Sequence, residues 1–193
     1  MRQIGLLFIV STLLLSQQAC RSRQQTDSQP TDSTRIAAEA VPSADEALTD
    51  HLIELGLTTD SDWRGISIGD EFSRVKATEK GEAFENDATH IGYTVEFKNL
   101  ETADMLYYQT NQKVSAINVD LFLNSRNSVD TYQKELTTYF SARYGTPKPG
   151  DGGTVWTGQS NKTIALTDVS KGKDFGLKIK ISPTSGATAA SVK

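Results

Sequence analysis

Groups able to do chemistry are few in this 193-residue chain: one cysteine, Cys20, and two histidines, His51 and His90. Thiol catalysis would fall to Cys20, which sits between an apolar stretch and a polar one, with no folded element to position it. A serine triad needs a histidine held against its nucleophile. His51 belongs to a short helical stretch and His90 opens a strand pattern, so both read as surface or edge residues, and no Gly-x-Ser-x-Gly elbow occurs. So few sulfur and imidazole ligands make a poor metal centre, and the Asp-x-Asp-x-Asp-Gly calcium spacing is absent. Asp151-Gly152-Gly153 lacks the Lys-Ser/Thr of a phosphate loop and reads as a turn before Trp156, which is expected in the core. Glu96, Asp104 and Asp120 fall on strand patterns where two carboxylates can meet across strands, as glycoside hydrolysis requires. Solubilising charge on an outer sheet face is the better account. The expectation is a protein with no catalytic group, no metal and no cofactor.

Binding is better served. Lys171, Lys173, Lys178 and Lys180 gather near the last strand pattern. They read as charges that keep an edge strand from pairing, with contact to an anionic surface as the alternative. Tyr107 and Tyr108 are adjacent, so one of them points away from the covered face of its strand. Phe122 falls out of phase with Ile117, Val119, Leu121 and Leu123. Outward aromatics on an open sheet mark contact sites, which makes Tyr108 and Phe122 the candidate partner-binding residues.

The elements that carry these residues follow from periodicity. Ser43-Ala44-Asp45-Glu46 has the form of a capping box, and Leu48, Leu52 and Leu55 follow at helical spacing before Gly56. Ile66 to Gly69 leads to Asp70 as an N-cap, with Phe72 and Val75 on one face of a helix ending before Gly81. Ile91, Tyr93, Val95 and Phe97 alternate with small or polar residues, Met105 to Gln109 makes a second strand, and Ile117 to Leu123 a third. Val129, Tyr132, Leu136, Phe140 and Tyr144 form a continuous stripe over 126–144, which Gly145 and Pro147 terminate. Strands at 154–157, around Ile164 and Leu166, and over Phe175 to Ile181 complete the pattern. One-sided apolar strands need a cover, and apolar-striped helices supply it. The predicted fold is α+β: one antiparallel sheet of about six strands covered on one face by two helices, in the order α-βββ-α-βββ. The two halves hint at an internal duplication.

At the N-terminus, Arg2 precedes the 12-residue apolar run Ile4 to Leu15, which ends in Ser16-Gln17-Gln18-Ala19. A membrane span needs ~20 apolar residues, so this run is an export signal and not a transmembrane helix. Ala19-Cys20 directly after it resembles the lipobox of bacterial lipoproteins, with Gln17 in place of the aliphatic residue usual three before the cysteine. The resemblance implies cleavage before Cys20 and acylation of that cysteine. Arg21, where inner-membrane proteins of that group carry Asp, implies the periplasmic face of the outer membrane. Cleavage of an ordinary signal after Ala19 is the alternative. Arg21 to Ser43 holds Gln, Ser, Thr, Asp and two prolines without apolar periodicity, a disordered tether spanning roughly 25–30 Å as a coil. The run Ile66 to Val75 also resembles, weakly, the opening of small SmpA/OmlA-like envelope domains, and the layout that of β-lactamase-inhibitor-protein-like domains.

The expected organisation is a signal peptide at 1–19, lipidated cysteine and tether at 20–43, a short helix within 44–60, an α+β domain at 61–183 and a flexible tail at 184–193. Without Arg2 the chain keeps 19 of its 20 basic residues against 24 acidic ones, a net −5. That balance speaks against nucleic acid, whose binding runs on clustered positive charge. The function expected is a lipid-anchored, non-enzymatic module of the cell envelope that binds the membrane through its lipid and another envelope protein through its domain. The alternative is a carrier holding a lipid or small apolar ligand between sheet and helices, in a cavity lined by Tyr93, Phe97 and Tyr132.

Overall fold

In the computed structural model, residues 42–150, 152–158 and 161–184 are described. The signal peptide, Cys20, nearly all of the tether, Asp151 and all of the tail but Thr184 lie outside the described residues.

The core is built on strands whose alternate residues are apolar. β1 (Glu85–Asn86), β2 (His90–Glu96), β3 (Thr102–Thr110) and β4 (Lys113–Leu123) form one antiparallel meander. Asn111 and Gln112 turn β3 into β4 with φ of 52° and 61°, the left-handed pair that matches strand twist in a two-residue hairpin. β5 (Lys148–Gly150), β6 (Gly153–Thr157), β7 (Lys162–Asp168) and β8 (Phe175–Pro183) form a second meander. β4 and β8, the last strand of each, pair antiparallel and join the two into one sheet in the order β1-β2-β3-β4-β8-β7-β6-β5.

This corrects the expected fold class: the sheet has eight strands rather than six, and two helices do not cover it. The extra strands, β1 and β5, are short, wholly exposed and carry no apolar alternation, so periodicity had nothing to register. Both are the edges of the sheet, where brevity is itself protective. Three α-helices are present among the described residues: α1 (Asp50–Glu54), α2 (Ser73–Thr78) and α3 (Arg126–Tyr144). Only α3 is longer than six residues.

The capping box at Ser43 does form: the Ser43 backbone N–H and hydroxyl both donate to Glu46 Oε2, at 2.9 and 2.8 Å. A turn follows it, and the helix starts later, where Thr49 Oγ1 accepts from Leu52 N. Asp70 likewise is no N-cap, because its carboxylate accepts from Ser67 N behind it and Phe72 holds the cap position.

α3 meets the prediction. Ser125 accepts from Ser128 N at its start, and Gly145, at φ 85°, ends it. It lies against β4, β6, β7 and β8 and buries Val129, Tyr132, Leu136, Tyr139 and Phe140. The rest of the inner face is covered by largely irregular chain, 47–75, which contributes Leu52, Leu55, Leu57, Trp63, Ile66 and Val75 to the same core. Two buried ion pairs pin that segment. Arg64 Nε donates to Glu79 Oε1 at 3.1 Å, and Lys162 Nζ donates to Asp62 Oδ2 at 2.6 Å. In each pair the cation offsets the cost of burying the carboxylate.

Candidate functional site

Since the cover lies on one face, the other face of the sheet is open among the described residues, and register fixes what it displays. Across β2, β3, β4, β8 and β7, one row reads Thr94, Asp104, Asp120, Lys178, Thr167. The row beside it reads Gly92, Leu106, Asn118, Lys180, Ala165. Asp104 and Asp120 stand directly opposite each other, yet each has its own partner. Thr94 Oγ1 donates to Asp104 at 2.6 Å, and Lys178 Nζ lies 2.9 Å from Asp120. With each carboxylate held by its own partner, the pair is charge satisfied across strands. Glu96 is exposed one strand further out.

Phe122 lies on this face, 52% exposed, between Thr102 and Gly176. A Cβ at position 176 would come within 2.7 Å of the Leu121 carbonyl oxygen, so the position beside the ring carries no side chain to cover it. Val169, 48% exposed, borders the same spot, its Cγ2 3.6 Å from where that Cβ would be. Tyr107 points inward and donates to buried Glu79, which leaves Tyr108 pointing outward as expected. The Tyr108 ring stacks on His90 at 5.2 Å. Tyr108 and Phe122 share the face but stand at opposite ends of it, six residues apart in register and therefore about 20 Å apart along the strands.

Two further residues on this face escaped the sequence reading. The Phe84 ring folds over Gly92, where an added Cβ would meet its Cζ at 2.6 Å and Leu106 Cδ2 at 3.0 Å. Phe84, Leu106 and Tyr108 thus form an apolar spot around β2 and β3, with Phe84 51% exposed. Leu106 carried the same out-of-phase signal as Phe122, while Phe84, in a loop, carried none.

His90 is bracketed by carboxylates: Nε2 lies 3.1 Å from Glu85 Oε1, and Nδ1 lies 3.2 Å from Asp87 Oδ1. Their ligand atoms fall within 4.8 Å of one another, close enough to suit an ion. The carboxylates, however, sit at the two opposite nitrogens of a single ring. Asp87 Oδ1 also accepts from Thr89 N, Thr89 Oγ1 and His90 N, hydrogen bonds that hold its carboxyl below the usual carboxylate range, that from Thr89 N foremost. The geometry is a clamp on the β1–β2 turn.

The remaining singled-out residues fall elsewhere. His51 lies on α1, 3.0 Å from Glu135 of α3. Trp156 is fully buried against Phe140, and its Nε1 donates to Ser141. β8 is a central strand, so Lys178 and Lys180 are not edge charges; they project onto the open face, while Lys171 and Lys173 are exposed in the β7–β8 turn. Phe97 and Tyr132 line a cleft at the N-terminal end of α3, and Tyr93 is buried away from it. No known protein family, characterised protein or solved structure matches the chain.

Proposed function

We propose that the chain is a lipid-anchored protein of the bacterial cell envelope, held by acylated Cys20 at the periplasmic face of the outer membrane, whose domain binds another envelope protein through the open face of its sheet. The observation that carries the binding role is Phe122, more than half exposed on a face that no helix among the described residues covers. Large apolar side chains left in water beside polar rows are what a partner's surface covers, and aromatic ones contribute most when it does. Lys178–Asp120 and Thr94–Asp104 around Phe122 give that partner satisfied polar groups to pack against at low desolvation cost. The activity is binding and not catalysis, since the carboxylates of the face are partnered singly. The anchor rests on the apolar run Ile4 to Leu15 followed by Cys20.

Fractionation and affinity recovery test this together. The wild-type chain should sediment with membranes and recover one defined protein after in-cell crosslinking. Cys20→Ser should release the chain from the membrane, and Phe122→Ser should stay on the membrane while losing the partner. A Cys20→Ser chain that stays membrane-bound would overturn the anchor. Undiminished partner recovery by Phe122→Ser would overturn the binding face.

A further inference from the structure

Three carboxylates are buried among the described residues: Asp62, Glu79 and Glu101. Asp62 is neutralised by Lys162 and Glu79 by Arg64. Glu101, 6% exposed, has no cation within ion-pair distance among the described residues. Its Oε1 accepts from Asn124 N at 3.0 Å and from Ser128 Oγ at 2.5 Å, and its Oε2 accepts from no described group. Glu101 lines a cleft of about 740 Å³ enclosed by α1, the short 3₁₀ turn Lys98–Leu100 and the first turns of α3. Tyr132 forms another wall. It too is only 6% exposed, and its hydroxyl makes no hydrogen bond to any described residue.

A buried carboxylate and a buried phenol, both with unused hydrogen-bonding capacity, face one cavity. Neither free atom is sealed from solvent, so each is open to a partner that enters the cleft. The charge of the lining says which partner the cleft suits. Asp50, Glu54 and Glu101 contribute three negative charges, and Lys98 alone opposes them, 83% exposed and 3.5 Å from Glu54. Burial, then the fields of Glu101, Glu54 and Glu135, push the Tyr132 hydroxyl up to about 12. Carboxylates that disfavour a phenolate favour a cation in the same place. The walls also carry aromatic surface: the rings of Phe97 and Tyr132, with His51 5.7 Å from Tyr132. Aromatic faces beside carboxylates suit an organic cation on an alkyl stem, because ring quadrupole and charge act together.

We propose that this cleft binds an alkylammonium group, its nitrogen donating to Glu101 Oε2 and Tyr132 Oη and its alkyl stem lying along Phe97. The proposal is independent of the open face, since the cleft lies beside α1 and α3 on the covered side of the sheet, so loss of the Phe122 partner leaves it standing. A free diamine and a lysine side chain of another protein present the same chemistry.

Titration calorimetry on the full chain separates these cases. The probes are 1,5-diaminopentane, pentan-1-ol as its uncharged counterpart, calcium ion, and the peptide acetyl-Gly-Lys-Gly-amide. The diamine or the lysine peptide should bind and pentan-1-ol should not. A diamine bound more tightly than the peptide would identify a free small amine as the ligand, and the reverse order a partner's lysine. Glu101→Gln keeps the acceptor for Asn124 N and Ser128 Oγ and removes only the charge; it should weaken binding about tenfold or more, as loss of a hydrogen bond to a charged group does. Tyr132→Phe keeps the ring and should weaken binding about threefold to tenfold. Should Glu101→Gln fail to fold, the Tyr132→Phe comparison decides alone. Equal binding of pentan-1-ol and the diamine, calcium held more tightly than either amine, affinity unchanged in the folded variants, or no binding by diamine or peptide would each overturn the proposal.

Discussion

Phe122 and Arg64 show how differently single residues are used here. Phe122 gives the fold little, since half its ring is in water. Phe122→Ser should therefore move the thermal midpoint only slightly, within the roughly 0.5 kcal/mol typical of surface changes, as scanning calorimetry would show. Arg64 is the opposite case. Its guanidinium donates to both oxygens of buried Glu79 and to the Leu55 carbonyl oxygen, and Tyr107 donates to the same carboxylate. Arg64→Ala would leave Glu79 buried without a cation. It should cost about 3–5 kcal/mol in urea unfolding. Adding Glu79→Gln to Arg64→Ala should restore part of that loss, because the stranded charge is then gone. None of this network was legible in the sequence: Arg64, Glu79 and Tyr107 share no periodicity, and only the folded chain brings them together. The outward aromatics on strands, Tyr108 and Phe122, were legible, because strand alternation is strict enough that an apolar residue out of phase announces itself.

Among elements, legibility followed the strength of the local pattern. The α3 stripe, its serine cap and its glycine stop agree with one another, and the helix forms over the expected 126–144. The strands with clean alternation were found, and the edge strands with none were missed. Leu48, Leu52 and Leu55 suggested a longer helix than the five residues of α1, because an apolar spacing that suits a helix also suits irregular chain packed on a sheet. The β3–β4 hairpin offers a test of local geometry. Gln112 occupies φ 61°, a conformation that costs a non-glycine residue about 1–2 kcal/mol, while Asn-Gly is the favoured pair for such turns. The Gln112 side chain makes no hydrogen bond to any described residue, and its backbone N–H donates to Gln109 Oε1, which glycine would retain. Gln112→Gly should raise stability by about 0.5–1 kcal/mol, measured as a shift in the urea midpoint. A lower midpoint would show that the turn is not strained.

Among the described residues two four-strand meanders share one sheet through β4 and β8, with the buried core stacked on one side of it. That one-sided build has a consequence for pH. Tyr93, Tyr107, Tyr132, Tyr139 and Tyr144 all have hydroxyl pKa values raised first by burial, Tyr132 to about 12. A tyrosine unfolds to an ordinary value near 10. Below pH 10 both states keep the proton and the stability is fully present. Above it the unfolded chain ionises first, so stability falls from about pH 10 through the raised values. The thermal midpoint should be flat from pH 7 to 9 and fall beyond pH 10, in step with phenolate absorbance. Tyr132→Phe should lessen the slope.

The same one-sided build leaves a sheet face on which no described helix packs, and the proposed function puts a partner protein there. A photo-crosslinking amino acid placed at Phe122 and, as a control, at exposed Lys134 on the back of α3 tests it most directly in intact cells. A discrete adduct should form from position 122, be absent from position 134 and be lost with Cys20→Ser. Equal labelling from both positions, or none from position 122 in membrane-bound chain, would contradict it.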